Sequence, residues 1–314
     1  MKTVVFMGTP DFAVPALKAL LDSDEYDVKL VVSQPDKPQG RKQILTASPV
    51  KQLALQYNVD VYQPQSLKND EAYTKIASLS PDFIVVSAYG KILPQRILDI
   101  PKYGCVNLHG SLLPKYRGAA PIQWSVINGD KKTGVTTMLM NAGLDTGDIL
   151  LVSEKQISEN ETAGEVFDAL ALLCPELLFK TLEGLYNGEI IPIKQNDEEA
   201  NYVSVLDKQM SVIDWNKTAY EIHNIVRGMN PWPVARTTYN GKIFKVFATH
   251  VVDYVTFSSK PGSVLVYKNE ILVSCFNNTV ISLDEIQIEG SKRMSAVEFL
   301  RGHSIPADYC FCQE

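Results

Sequence analysis

Residues 105–121 read CVNLHGSLLPKYRGAAP. The stretch opens as a short apolar run and puts Asn107 and His109 on alternate positions at its end. A Ser-Leu-Leu-Pro turn, an exposed-looking Tyr116-Arg117 pair and a Gly-Ala-Ala-Pro segment follow. Three earlier runs are of the same kind: TVVFM (3–7), VKLVVS (28–33) and FIVVSA (83–88). All are β-branched and lack polar alternation, the pattern of strands covered on both faces. Helical patterns separate them. DFAVPALKALLDS offers Asp11 as a cap; SPVKQLALQYN offers Ser48 as a cap with Pro49 at the first helical position; DEAYTKIASLS is the third. Strand–helix–strand units of this kind predict an α/β fold with a doubly wound, parallel, Rossmann-like sheet and right-handed crossovers. Ligands of such sheets bind beyond the carboxyl ends of the strands, so Asn107 and His109 fall where the fold permits chemistry.

The chain has 314 residues, which predicts two domains. Hydrophobic residues at 45% and charged residues at 21% exclude a disordered chain. No apolar run approaches the roughly 18 residues of a membrane span. The start, MKTVVFMGTPDFAVPAL, has one Lys ahead of an apolar stretch, but GTPD interrupts it, and a buried first strand is expected instead of a signal peptide. Five cysteines, an odd count without a CxxC pair, predict reduced thiols and a cytoplasmic protein. Cys310 and Cys312 have no partner pair, so no metal site is expected there. The net charge of −6 argues against a general nucleic-acid binder. All of it lies in residues 1–205, and residues 206–314 sum to zero, so any polyanion site has to be a local patch.

The helical stretch 162–186, with a kink expected at Pro175, closes a first domain over residues 1–188. The polar, acidic and aperiodic segment that follows predicts a linker over 189–205. From 206 to 314 the pattern changes. KIFKVFATHVV, GSVLVYKN and ILVSCFNNTVISLDEIQIEG nearly alternate and carry turn pairs, which predicts a smaller domain of antiparallel strands, a small β-barrel.

Gly8-Thr9-Pro10 matches neither nucleotide-binding glycine pattern and is expected to be a tight strand-to-helix turn. Asp145, in NAGLDTGDIL, follows another apolar run, VTTMLM, and can reach the pocket of Asn107 and His109 from a neighbouring strand. Carboxamide, imidazole and carboxylate together suit acyl transfer without a side-chain nucleophile. The amide donates to a developing oxyanion, the imidazole donates or relays a proton, and the carboxylate orients it. Ser111 lies too close to His109 in sequence for a nucleophile–base pair, and no G-x-S-x-G elbow surrounds it. QPDKPQGRKQILTASPVK (34–51) reads as a long loop with a basic cluster of Lys37, Arg41 and Lys42, overhanging the carboxyl edge where a phosphate backbone would need positive charge. His223, His250 and His303 have no partner in the sequence and are expected to be structural.

Together these segments resemble the methionyl-tRNA formyltransferase family. The resemblance rests on FMGTPDFAVPAL, QPDKPQGR, SPVK, SAYGKILP, VNLHGSLLPKYRGAAPIQWSVINGD, TGVTTMLMNAGLDTGDIL and IQIEGSKRMSAVEFLRG, in the family's order over nearly the whole chain. GLDTGDIL is common to folate-dependent formyltransferases, whereas the C-terminal segment and the basic loop are specific to the tRNA branch. The resemblance implies formyl transfer from 10-formyltetrahydrofolate, as co-substrate and without a metal, to the amino group of methionine on initiator tRNA. It implies that Asn107, His109 and Asp145 are catalytic, and that Ser111, Leu112, Leu113 and Pro114 form a folate-binding wall. Lys37, Arg41 and Lys42 would meet the acceptor end of the tRNA, and the second, smaller C-terminal domain would be an OB-like β-barrel holding the RNA. One departure is visible: Arg41-Lys42-Gln43-Ile44 carries one positive charge fewer than the family's usual loop. A monomer is expected. A sugar-amine formyltransferase, a formyl-folate hydrolase and a non-catalytic tRNA-binding protein are the alternatives, and the first two need no RNA-binding barrel. The roles of Tyr116 and Arg117 stay open between folate and RNA.

Overall fold

The computed structural model describes residues 1–39, 43–255 and 259–311. They form two compact units. One comprises 1–119, 133–155 and 167–203; the other comprises 120–132, 156–166 and 204–311.

In the first unit, β1 (Lys2–Gly8) buries Val4 to Met7 completely, as an unbroken apolar strand must. A 3₁₀ turn over Asp11–Ala13 separates it from α1 (Val14–Leu21). Asp11 therefore does not cap the helix as expected: its carboxylate lies one turn too early, and Pro15 in the first turn removes a donor that would need capping. After β2 (Tyr26–Val32), the loop expected over 34–51 instead contains a hairpin, β3 (Lys37–Gln39) antiparallel to β4 (Ile44–Thr46). Ser48 caps α2 (Pro49–Gln56) by accepting from the Lys51 N–H at 3.1 Å, and Pro49 starts it, both as expected. The chain continues through β5 (Val61–Tyr62), α3 (Asp70–Ala77), β6 (Phe83–Ser87), α4 (Gln95–Leu98) and β7 (Cys105–His109). Next come β8 (Arg117–Gly118), α5 (Pro121–Ile127), which belongs to the second unit, β9 (Lys132–Leu139) and β10 (Asp148–Gln156). Then α6 (Ala163–Asn187) runs through Pro175 as one element.

The main sheet has the order β10-β9-β7-β6-β1-β2-β5. From β7 to β5 all ladders are parallel, as the sequence predicts. The β9 strand is antiparallel to β7, so the sheet is mixed. That difference has a simple origin: an apolar run buried on both faces looks the same in either direction. Parallel pairing brings the ends of β1, β6 and β7 to one edge. There a Cβ on Gly8 would lie 3.0 Å from the Ser87 carbonyl, which accounts for the expected tight turn at Gly8-Thr9-Pro10.

Residues 189–203, expected to be a linker, belong to the first unit. Ile193 bridges Ile149, and β11 (Tyr202–Val203) pairs in parallel with β8.

The second unit is built on α7 (Ala219–Gly228), opened by a capping box of Thr218 and Glu221. Its sheet has the order β12 (Arg236–Tyr239), β13 (Lys242–Val252), β16 (Val280–Ile288), β15 (Glu270–Ser274), β14 (Val264–Tyr267), with β17 (Met294–Ser295) on β16 and α8 (Ala296–Gly302) following. Every ladder is antiparallel. Asn240 and Gly241 turn β12 into β13 with φ of 49° and 71°, the left-handed pair that a two-residue hairpin needs. No ladder joins β12 to β14 among the described residues, so the expected barrel is an open antiparallel sheet. Its core gathers Trp215, Ile222, Phe244, Phe299 and Phe311.

His223 is buried, with Nε2 donating to the Glu159 carbonyl (3.1 Å) and Nδ1 accepting from Thr249 Oγ1 (3.0 Å). His250 pairs with Asp284 at 2.9 Å, and His303 stacks on Phe299. No helix among the described residues is long and apolar enough to cross a membrane.

Candidate active site

Asn107 and His109 are the third and last residues of β7, separated by the buried Leu108, so both project from one face of the strand at its carboxyl end. Asn107 lies beside Val86 of β6 and Met138 of β9; His109 lies beside Thr136 of β9. They are only 8% and 6% exposed. The Asn107 carboxamide has no hydrogen-bond partner among the described residues, which leaves both of its N–H groups for a ligand.

His109 Nε2 lies 2.9 Å from the Tyr116 carbonyl, which can only accept, so this nitrogen carries a proton. Nδ1 then faces Asp145 Oδ2 at 3.7 Å, too far for a direct hydrogen bond. This gap leaves Nδ1 as the ring nitrogen able to exchange a proton with a reacting atom, with a carboxylate beside it. Asp145 sits between β9 and β10 with φ of 53°, and its Oδ2 accepts from the Gly118 N–H at 2.8 Å. The three residues singled out in the sequence as a catalytic set thus include two, His109 and Asp145, in register for an imidazole–carboxylate pair.

The Ser111–Pro114 turn is fastened to β9. Ser111 is buried and donates its hydroxyl to the Lys115 carbonyl (2.6 Å), which leaves no free nucleophile. Thr136 Oγ1 donates to the Ser111 carbonyl (2.7 Å) and accepts from the Leu113 N–H (3.2 Å). Leu113 is buried, Leu112 and Pro114 are half-buried, and the Leu113–Pro114 peptide is cis.

The basic cluster is only partly described. Lys37 is exposed on β3, while Arg41 and Lys42 lie outside the described residues. The base of the hairpin is held by Lys51, whose ammonium lies 2.7 Å from both Asp36 Oδ2 and Gln63 Oε1. Hydrogen bonds from Lys51 and Gln63 hold the Asp36 carboxyl below its ordinary range. Among the described residues no group of His, Cys, Asp and Glu could hold a metal ion; Cys312 lies outside them.

Tyr116 and Arg117 depart most from expectation. Neither is exposed, and Arg117 is only 2% accessible. Its Nε donates to Gln195 Oε1 (3.0 Å), one terminal nitrogen to the Tyr202 hydroxyl (3.1 Å) and the other to Asp197 Oδ1 (2.8 Å). Folate and RNA are therefore not needed to explain this side chain. The sequence reading missed Gln195, Asp197, Asn201 and Tyr202 because they lie about 80 positions away in an aperiodic segment.

A family model described as formyl transferase matches residues 1–182, and one described as the formyl transferase C-terminal domain matches residues 205–304. The methionyl-tRNA formyltransferase of Clostridium novyi is 50% identical over 304 residues, covering 96% of this chain and 97% of the relative. That of Caldanaerobacter subterraneus is 52% identical over the same shares. Among solved structures, the N-formyltransferase from Helicobacter canadensis in complex with folinic acid and dTDP-3-aminofucose has a TM-score of 0.68 at 20% identity, covering 90% of this chain and 99% of that one. HypX from Aquifex aeolicus in complex with tetrahydrofolic acid has a TM-score of 0.62 at 16% identity, covering 96% of this chain and 48% of that one. These two likenesses concern the fold alone. Identity of about one half over nearly full length, with both domain models in order, means that the chain belongs to the methionyl-tRNA formyltransferase family.

Proposed function

We propose that this enzyme transfers the formyl group of 10-formyltetrahydrofolate to the amino group of methionyl-initiator tRNA, giving N-formylmethionyl-tRNA for translation initiation. The observation that carries the mechanism is the buried Asn107 amide with no hydrogen-bond partner among the described residues, set on the same strand face as His109. A strand end that keeps a carboxamide unpaired is suited to a ligand oxygen, and the formyl group offers one.

The α-amino group has an ordinary pKa of about 7.7–8.0, and esterification of the neighbouring carboxyl lowers it, so the amine attacks the formyl carbon without a strong base. Asn107 donates to the formyl oxygen as it gains charge. His109, through Nδ1, carries the proton lost by the attacking nitrogen to the nitrogen of the donor as the old carbon–nitrogen bond breaks. Asp145, beside Nδ1, balances the charge that the imidazole gains, while the Tyr116 carbonyl holds the ring in orientation. Ser111 to Pro114 form the wall against which the folate rests, a role that suits a turn fixed by Thr136. Lys37, on β3, together with Arg41 and Lys42, meets the acceptor end of the tRNA. The open sheet of the second unit, within residues 206–314, adds RNA contacts. No metal takes part; the enzyme acts as a monomer in the cytoplasm.

The test is transfer from 10-formyltetrahydrofolate to methionyl-tRNA, initiator and elongator side by side, with a nucleotide-linked amino sugar as control. Formylation of the initiator tRNA alone is expected, and preference for the sugar amine would overturn the substrate. Asp145→Ala is expected to lower kcat at least a hundredfold in a folded protein; a wild-type kcat would overturn the catalytic set.

A further inference from the structure

We infer that Arg117 and Gln195 form a positioning brace that fixes Asp145 and the backbone that orients His109; the inference rests on the catalytic set proposed above.

The orientation of the Gln195 amide follows from its neighbours. Nε2 lies 2.9 Å from the Asp145 carbonyl and 2.6 Å from the Gly147 carbonyl, and both can only accept. The two amide protons are thereby spent on the turn that carries Asp145. Oε1 must then point the other way, where it accepts from Arg117 Nε at 3.0 Å. Gln195 is buried, so no water replaces these bonds without cost.

Arg117 closes the brace from the other side. Its neighbour Gly118 donates to the Asp145 carboxylate at 2.8 Å, and its neighbour Tyr116 supplies the carbonyl that receives His109 Nε2. One buried guanidinium therefore ties down both the backbone that orients Asp145 and the backbone that orients His109. The segment 195–203 adds further anchors. Asn201 accepts from the Tyr116 N–H (2.6 Å) through its side chain and from the Arg117 N–H (2.9 Å) through its backbone.

The turn needs such anchoring. Tyr116, Gly118 and Ala120 have φ of 61°, 100° and 57°, and Asp145 has 53°. Left-handed backbone costs a non-glycine residue about 1–2 kcal/mol, so Tyr116, Ala120 and Asp145 persist there only because their surroundings hold them. A Cβ on Gly118 would sit 2.6 Å from the Val203 carbonyl, so the same segment also presses directly on the turn.

Arg117 and Gln195 need not touch substrate; Gln195 acts through Asp145, and Arg117 acts also through the Tyr116 carbonyl that receives His109 Nε2. The full-length enzyme is assayed by single-turnover formylation and by steady-state kinetics with methionyl-tRNA and 10-formyltetrahydrofolate. Gln195→Met, which keeps volume but loses all three hydrogen bonds, is expected to lower kcat at least tenfold while KM for both substrates stays within twofold. Arg117→Lys, which keeps the charge but loses the Nε–H, is run in parallel and is expected to show the same split if Gln195→Met does not fold. In an Asp145→Asn background, Gln195→Met is expected to lower the residual kcat by less than a further twofold. Multiplicative losses would show that the brace acts elsewhere and overturn the inference. A wild-type kcat in both brace variants beside an impaired Asp145→Asn would overturn the brace alone. A wild-type kcat in Asp145→Asn would remove the catalytic reading and the brace with it.

Discussion

Replacing Asn107 by Leu is expected to move stability and activity in opposite directions. The Asn107 side chain is 8% exposed and its amide has no partner among the described residues. Folding therefore strips water from a carboxamide without returning a protein hydrogen bond. A buried polar group left unsatisfied costs about 1–3 kcal/mol, and partial access to water places this one at the lower end, about 1 kcal/mol. Leu has nearly the same shape, and Val86 and Met138 beside it on the neighbouring strands are apolar and buried. Asn107→Leu should thus raise stability by about 1 kcal/mol, or Tm by about 2–4 °C for a domain of this size. Losing one oxyanion donor should lower kcat roughly 10²–10³-fold, about 3–4 kcal/mol of transition-state stabilisation. Differential scanning calorimetry and single-turnover formylation measure the two effects on the same preparation. A Tm lowered by several degrees would mean that the amide supports the fold, and a kcat within threefold of wild type would mean that it faces no developing charge. Either result refutes the reasoning.

Arg41→Ala is expected to raise KM for methionyl-tRNA severalfold with KM for the folate donor unchanged; equal loss on both would remove Arg41 from the RNA side. His223 gives a pH signature. Burial pushes its pKa below the ordinary 6.5, outweighing the hydrogen bonds to Glu159 and Thr249, which pull it the other way. A depressed folded-state pKa means that stability is complete above about pH 6.5 and falls as pH drops below it, by up to about 1.4 kcal/mol per pH unit. Urea unfolding at pH 7.5 and 5.5 should show a smaller drop in His223→Gln than in the parent, and an equal drop would exclude His223 as the cause.

How much of this could be read from the sequence depended on whether the physics was local. Unbroken apolar runs gave the strands of the parallel region, and Ser48-Pro49 gave a helix start, because burial on two faces and capping leave marks within a few residues. The antiparallel direction of β9 left no mark, since Val135 and Met138 are buried whichever way the strand runs. Asn107 and His109 could be placed from their position at a strand end, and Asp145 from the apolar run before it. Tyr116 and Arg117 misled because a charged pair next to Lys115 looks solvated, and the groups that bury it lie at 195–202. That segment itself resembled a linker. It is acidic and aperiodic because its work is done by single side chains and a two-residue strand, which impose no period.

That segment also bears on where the chemical unit ends. The match to the formyl transferase model stops at residue 182, and the composition of the chain suggests a boundary near 188. Yet the side-chain partners of Arg117 are residues 195, 197 and 202, and the Asp145 backbone is held by Gln195. Cutting at 188 would remove these partners and open the guanidinium to water, and would free two carbonyls of the Asp145 turn. Left-handed backbone costs Tyr116, Ala120 and Asp145 about 1–2 kcal/mol each, and they would lose the contacts that hold them there. On the proposed reading, the smallest piece able to carry out formyl transfer therefore runs through Val203, and the connection to the second unit is part of the active site's support.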